Sequence, residues 1–186
     1  NGVLITQATP QGGRVSGSSS VMKLDGWNWE DATIMADDGI HLNWPSSIQR
    51  SGWWAEPGET KKNEKYNEEI EELTRFFQDA FAYHRGEKPE KNIRFEAMEG
   101  LWNGEKTLFI HANYVKEIEN AVMFARKMDV KKMVIVGGYD SWMLTDMLKE
   151  HDVAVMLRRV HDLPIRPEDD AALPYKLPYL LHSAGV

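Results

Sequence analysis

Cysteine is absent from the chain, and basic side chains are fewer than acidic ones. The 186 residues include 22 Lys and Arg against 29 Asp and Glu, which gives a formal net charge of −7. Without cysteine the chain has no disulfide, no thiolate nucleophile and no Cys-ligated zinc site, so its chemistry must use histidine, carboxylate or hydroxyl groups. Nucleic-acid binding needs clustered positive charge, and we therefore expect no nucleic-acid partner.

Long hydrophobic runs are also absent. No apolar run approaches the roughly 20 residues that span a bilayer, and the N-terminus lacks the zones of a signal peptide, so we expect no membrane partner. The lack of cysteine leaves the compartment open between cytoplasm and periplasm. Hydrophobic residues make up 42% of the chain, enough for a core, which predicts a single globular domain covering residues 1–186.

Both ends of the chain have features of an internal segment. The first residue is Asn1 rather than Met, and a strand-like apolar run begins almost at once. At the other end, Gly185 is typical of a helix C-terminus, where the next strand of an α/β protein would start. We therefore expect the chain to be part of a longer protein.

Four short, continuous apolar runs predict buried strands at residues 2–6, 107–111, 133–137 and 153–157. Continuous runs are typical of parallel strands that helices cover on both faces. The last three runs alternate with stretches of helical apolar spacing, which predicts right-handed βαβ connections. The expected fold class is α/β, with a parallel sheet and flanking helices.

The clearest helix is predicted over residues 63–85, where apolar residues recur at helical spacing and an acidic run lies in the N-terminal half. Residues 11–20 are rich in Gly and Ser, and residues 44–60 contain Pro, Gly and a Trp pair, so both segments are predicted to be long loops. Since an exposed Trp pair is unusual in a disordered linker, we expect the second loop, which contains Trp53 and Trp54, to pack against the domain or to contact a partner.

Histidine provides the strongest candidate for chemistry. His111 ends a predicted strand, and parallel α/β proteins place their ligands at that end. A neutral imidazole there can bind zinc or transfer protons; the alternative is a hydrogen-bonded histidine that caps the next helix. His161 follows the fourth predicted strand, and His41 ends another short one, so both are candidates for the same edge. His84, His151 and His182 are expected at the surface.

Glycines follow two of the predicted strands. Gly137 and Gly138 allow a tight turn or close backbone approach, and with the adjacent Tyr139 they are candidates for substrate binding. Asp140 or Ser141 is expected to cap the helix after them. Residues 12–20 could present backbone N–H groups to an anion, but they match neither common phosphate-binding motif, and a structural turn is the favoured interpretation.

Six segments then occur in a particular order: GVLIT at 2–6, GGRVSG at 12–17, VMKLDGW at 21–27, LFIHA at 108–112, VIVGG at 134–138 and LHSAGV at 181–186. This order resembles the middle of the amidohydrolase superfamily, most closely the imidazolonepropionase-like metal-dependent hydrolases. The resemblance covers nearly the whole chain.

The resemblance implies a (β/α)8 barrel in which a divalent metal at the carboxyl-end rim activates water to attack an amide or related C–N bond. His111 matches the metal-ligating histidine of the family's fifth strand. Gly137 stands where the sixth-strand histidine is expected, and this departure argues against an ordinary binuclear site. His161 is the candidate replacement. The family's first-strand His-x-His pair and eighth-strand Asp have no counterpart in the chain.

Together with the strand and helix pattern, the resemblance implies a partial (β/α)8 barrel segment or an open three-layer sandwich, inactive by itself, from a hydrolase that uses zinc or another divalent metal. His111 and His161 are the predicted metal ligands, and the predicted substrate is a small or peptide-like molecule. Exposed sheet edges would favour self-association. The alternative is a non-catalytic module that binds a peptide or carbohydrate. The remaining predicted substrate-binding residues are His41, Gly137, Gly138, Tyr139, Trp53 and Trp54.

Overall fold

The fold is described from a computed structural model, which covers residues 4–53, 56–87 and 90–186. The strands are β1 (Ile5–Ala8), β2 (Val15–Lys23), β3 (Thr33–Asn43), β4 (Ile48–Trp53), β5 (Glu56–Lys62), β6 (Thr107–Ala112), β7 (Met133–Gly137) and β8 (Ala154–Leu157). The helices are α1 (Trp29–Ala32), α2 (Tyr66–Arg85), α3 (Ile93–Met98), α4 (Gly100–Asn103), α5 (Val115–Lys127), α6 (Thr145–Glu150) and α7 (Leu173–Ala184), with a 3₁₀ turn at Ser141–Met143.

Six strands form one sheet in the order β1-β2-β3-β6-β7-β8. The sheet curls into a half-barrel flanked by helices, as predicted for a partial barrel of the α/β class. Strands β3, β6, β7 and β8 are parallel, so their carboxyl ends meet at one edge, called the rim below. The predicted strands at 107–111, 133–137 and 153–157 correspond to β6, β7 and β8.

The sheet is mixed rather than wholly parallel, which corrects the sequence-based prediction. Strand β2 runs antiparallel to both β1 and β3, and it occupies most of the segment predicted to be a loop. Gly12 and Gly13 have φ values of 81° and 73°, a left-handed conformation that glycine adopts without steric penalty. They reverse the chain, so residues 15–23 return beside β1. Strand β2 consists largely of Ser and Gly, so its sequence has no hydrophobic pattern from which a strand could be predicted.

The second predicted loop, residues 44–60, is also mostly ordered strand. Strands β4 and β5 pair as an antiparallel hairpin, and Trp44 before them is buried. The Trp44 Nε1 donates to the Tyr66 hydroxyl at 3.0 Å. The many Pro and Gly residues of this segment correctly predict turns. They do not indicate that β4 pairs with β5, because strand formation depends on contacts with other strands.

The main hydrophobic core lies between the sheet and the helices. Strand residues Ile40, Leu108 and Ile110 pack there against α2 and α5, where Phe77 and Val122 are fully buried. The predicted helix at 63–85 is observed as Tyr66–Arg85, with its apolar stripe facing this core. Among the described residues, no helix combines the length and the apolar character needed to cross a bilayer.

Candidate functional site

Two histidines lie in contact near the rim. His41 on β3 and His111 on β6 approach with 2.9 Å between His41 Nδ1 and His111 Nε2, a hydrogen-bond distance. In the sheet register, His41 lies opposite Phe109, and His111 lies opposite Asn43. The two histidines are therefore diagonal neighbours across the parallel strands, although they are 70 positions apart in sequence.

The histidine pair, His41 and His111, lies on the concave face of the sheet. Side chains alternate along a strand, and Leu108 and Ile110 face the helix-covered core, so Phe109 and His111 face the opposite way. The His41 ring stacks on Phe109 with 4.8 Å between ring centroids. The two imidazoles therefore line the inside of the half-barrel, and the capping role considered for His111 is replaced by contact with His41.

Burial keeps both imidazoles neutral near pH 7. Burial is the main factor that lowers the pKa of His111 to about 4, with smaller contributions from His41 and Arg158. The pKa of His41 is also lowered by burial, against an opposing effect of the Asp38 carboxylate. Since one neutral ring must donate and the other accept, the pair shares a single hydrogen bond whose direction depends on the tautomers.

Two buried polar atoms, one on His41 and one on Gln7, have no hydrogen-bond partner among the described residues. His41 is 1% exposed, and its Nε2 is buried without a hydrogen-bond partner among the described residues. Asp38, also buried, accepts from Gln7 Nε2 at 2.7 Å and from Ser19 Oγ at 2.7 Å. Because a carboxylate accepts hydrogen bonds, the Gln7 amide must turn its NH2 group to Asp38, and its Oε1 is left buried and unpaired. Such atoms are uncommon in folded proteins and often mark functional sites.

A cavity of about 250 Å³ opens at the carboxyl ends of β7 and β8. We call it the rim pocket, and its lining includes Arg158, Arg159, Asp162, Asn113, Gly137 and Tyr139. Gly137 and Gly138 have φ values of 97° and 58°, and Gly138 N donates to Ala112 O at 2.8 Å. The predicted tight turn is therefore present.

Next to the rim pocket, Asp140 accepts two hydrogen bonds from Arg166, at 2.9 and 2.7 Å. It also accepts from Val115 N, the first residue of α5, at 3.2 Å. The expectation that Asp140 or Ser141 caps the following helix is wrong, because Asp140 instead contacts the start of α5 and Ser141 Oγ donates to Gly138 O. These bonds hold the segment after β8 against the rim.

The other predicted site residues are placed differently. Tyr139 is buried, and its hydroxyl donates to Asp169 at 2.9 Å, so that hydroxyl has a structural partner. His161 is exposed and lies against Tyr175 of α7, with 5.4 Å between ring centroids; its role as a metal ligand stays a prediction. The side chain of Trp53 and the whole of Trp54 lie outside the described residues.

Sequence reasoning missed Arg158 and the polar group formed by Gln7, Ser19 and Asp38. Arg158 directly follows β8. Its position at the carboxyl end of a predicted parallel strand would have identified it as a candidate binding residue. The partners of Asp38 carried no such signal, because β2 was not predicted as a strand. His84, expected at the surface, stacks on Trp102 and is half-buried.

A larger cavity, of about 640 Å³, lies on the helix-covered side of the sheet between β2 and the helices α2 and α3. Its wall includes Ile40 and Phe76, with Arg14 and Glu69 near one another at 3.3 Å. Neither member of the histidine pair lines it. We assign the candidate site to the concave face and the rim, where the histidine pair lies and where His41 Nε2 is buried without a partner among the described residues.

Comparison with known proteins bears on the fold. The chain matches no protein-family model and no curated protein. Its structure is similar to that of an amidohydrolase from Thermotoga maritima, with a TM-score of 0.75 and 15% sequence identity. The match covers 100% of this chain and 49% of the other, so the chain spans about half the length of that protein. At this identity, the similarity establishes that the chain has an amidohydrolase-like fold.

Proposed function

We propose that the chain forms about half of the barrel of a hydrolase that cleaves an amide or related C–N bond with the help of zinc or another divalent metal. The observation that carries this proposal is the histidine pair near the rim of an amidohydrolase-like half-barrel, in which His41 is buried and His111 is half-buried. Active sites of (β/α)8 barrels are built at this end of the strands. A buried His41 Nε2 without a partner further favours a site that binds something.

The donor types suit a metal, but the number of donors does not. Neutral imidazole is a common zinc ligand, and a catalytic zinc site has three protein ligands. The described residues contain no group of three or more His, Asp or Glu side chains that could hold a metal ion. They therefore do not fit a complete metal centre, and we propose that this chain alone is inactive, the missing ligands being supplied by residues beyond those described.

The chain's own residues would then bind and orient the substrate and handle protons. With a pKa near 4, His111 is a neutral imidazole at physiological pH, available as a hydrogen-bond acceptor or ligand without losing a proton first. The hydrogen bond from one histidine to the other sets which ring nitrogen carries the proton.

The test is an assay of the full-length protein with small amides, N-acyl amino acids and cyclic imides, together with measurement of bound metal by mass spectrometry. We expect His111→Ala to lower kcat/KM about a hundredfold or more and to reduce bound metal. His182→Ala, in the exposed last turn of α7, is the matched control and should change neither quantity.

Two outcomes would contradict the proposal. The first is a wild-type protein that binds no metal and hydrolyses none of these substrates. The second is an unchanged rate in His111→Ala. A change in tryptophan fluorescence with a peptide or sugar, in the absence of any metal effect, would instead favour a binding module.

A further inference from the structure

The rim pocket carries a positive charge without an acidic partner. Arg158 is exposed and follows the last residue of β8. Among the described residues, no carboxylate forms an ion pair with it. Its neighbour Arg159 differs, because Arg159 pairs with Asp162 at 3.4 Å. Both of these arginines and Asp162 line the pocket, so the three side chains leave one net positive charge there.

A second polar group faces the same space. Asn113 follows β6 and lines the pocket, and its side-chain amide forms no hydrogen bond with the described residues. Asn113 lies over Gly137, where a Cβ atom would come within 2.5 Å of Asn113 Oδ1. Glycine at position 137 therefore leaves room for the Asn113 amide at the pocket wall, where the amide NH2 group can donate to a ligand.

The rim pocket also lies at the same edge of the sheet as His111, because Asn113, which lines the pocket, is two residues after His111. Arg158 contributes to lowering the pKa of His111, as a nearby positive charge disfavours protonation. Neither histidine lines the rim pocket, but a ligand held by Arg158 would lie at the same rim as the imidazoles that the proposed function assigns to the reacting bond. The arginine guanidinium matches a carboxylate in shape, since it can donate two parallel hydrogen bonds.

We propose that Arg158 binds a carboxylate of the substrate in the rim pocket, with Asn113 as a second donor, so that the substrates are small amides that carry an acidic group. This inference rests on the proposed function for its hydrolytic part. The binding part stands on the pocket, its lining and its unpaired charge.

The first experiment measures binding to the full-length protein by calorimetry, with N-acetylglycine as the anionic probe and N-acetylglycinamide as its neutral counterpart. We expect the anion to bind more tightly than the neutral amide. Arg158→Ala should weaken anion binding about tenfold or more and leave binding of the neutral amide unchanged. Arg158→Lys should restore part of the loss, because charge is kept while the two parallel hydrogen bonds are lost.

Arg75→Ala is the control, since Arg75 is an exposed arginine on α2; it should leave both affinities unchanged. Equal binding of the two probes by the wild type would overturn the inference, and so would unchanged anion binding in Arg158→Ala. Circular dichroism of each variant verifies that the fold is retained.

The second experiment separates this inference from the proposed function. If paired substrates with and without a carboxylate are hydrolysed, Arg158→Ala should raise KM for the acidic member about tenfold and change kcat little. Hydrolysis with no such difference would overturn the carboxylate site while the hydrolase proposal stands. Arg158-dependent binding of N-acetylglycine without hydrolysis of any substrate would support the carboxylate site and contradict the hydrolase.

Discussion

Histidine titration is the clearest consequence of the structure at the scale of single residues. The pKa of His111 falls from its ordinary value of 6.5 to about 4 on folding. Between these two pH values the unfolded chain binds more protons than the folded one, so stability must fall as the pH falls. Above pH 6.5 both states are neutral at this position, and the effect of His111 on stability is constant.

We therefore expect the Tm of the metal-free protein to fall from pH 6.5 to pH 4, with a smaller slope in His111→Asn than in the wild type. Thermal unfolding followed by circular dichroism in the presence of a chelator measures this. His182→Asn, which changes an exposed histidine, should keep the wild-type slope. Equal slopes in His111→Asn and the wild type would contradict the burial of a neutral imidazole.

A second prediction at this scale concerns Arg166. It neutralises Asp140, which is 2% exposed, and the two side chains form two hydrogen bonds. Removing one partner of a buried pair leaves an uncompensated charge and costs about 3–5 kcal/mol. We expect Arg166→Met to lower the free energy of unfolding by about that amount in urea denaturation.

The matched control is Arg159→Met. Arg159 pairs with Asp162 in the same segment, but the two side chains are 83% and 44% exposed. Exposed pairs contribute about 1 kcal/mol or less, so this variant should be nearly as stable as the wild type. Similar losses for both variants would show that the Asp140 contact has no special importance.

At the scale of elements, the turn after β7 depends on glycine for two reasons. Gly138 has a φ of 58°, which disfavours a side chain by about 1–2 kcal/mol. A Cβ at this position would also lie 2.7 Å from Val155 Cγ1, too close without displacement of β8. The turn thus packs closely against β8 as well as setting the path of the chain.

We expect Gly138→Ala to destabilise the protein by about 2–4 kcal/mol, combining backbone strain and overpacking. Gly12→Ala isolates the backbone part, since Gly12 has a φ of 81° and a Cβ added there would have no heavy atom within 4 Å. It should cost about 1–2 kcal/mol. Urea denaturation of both variants gives the comparison, and equal losses would contradict a packing role for Gly138.

At the scale of the whole molecule, the described part of the sheet has two edge strands, each paired with a neighbouring strand on one side alone. Strand β1 pairs with β2, and strand β8 pairs with β7. Unpaired strand edges favour association with other chains. Apolar side chains are exposed on both strands: Ile5 is 54% and Met156 is 41% exposed.

We expect the 186-residue chain to self-associate in analytical ultracentrifugation, as the sequence also suggested. Met156→Lys or Ile5→Lys should shift it toward monomer, because a charge on an edge strand opposes strand pairing. Met123→Lys is the control, since Met123 is 53% exposed on α5 and away from both edges. A chain that is monomeric at all concentrations would contradict this prediction.

The local sequence pattern was sufficient to predict the helices and strands whose apolar residues form a continuous run or recur at helical spacing. Strands β6 and β7 and helix α2 follow from continuous apolar runs and from the helical spacing of residues such as Leu73 and Phe77. The positions of His111 and of the Gly137–Gly138 turn follow from the same strands. A parallel βαβ arrangement then places His111 near the rim.

Tertiary structure decided the features that depend on partners far along the chain. The antiparallel course of β2 depends on pairing with β1 and β3, because its Gly and Ser residues have no hydrophobic pattern of their own. The contact of His41 with His111 joins residues 70 positions apart, and the burial that lowers both pKa values exists in the folded sheet alone.

The sequence by itself determined that this is an α/β protein with a histidine at the carboxyl end of a parallel strand, because strand burial and helix amphipathicity are local properties. The folded sheet decided which polar groups surround that histidine. Side-chain neighbours across strands are set by register, which no short stretch of sequence specifies.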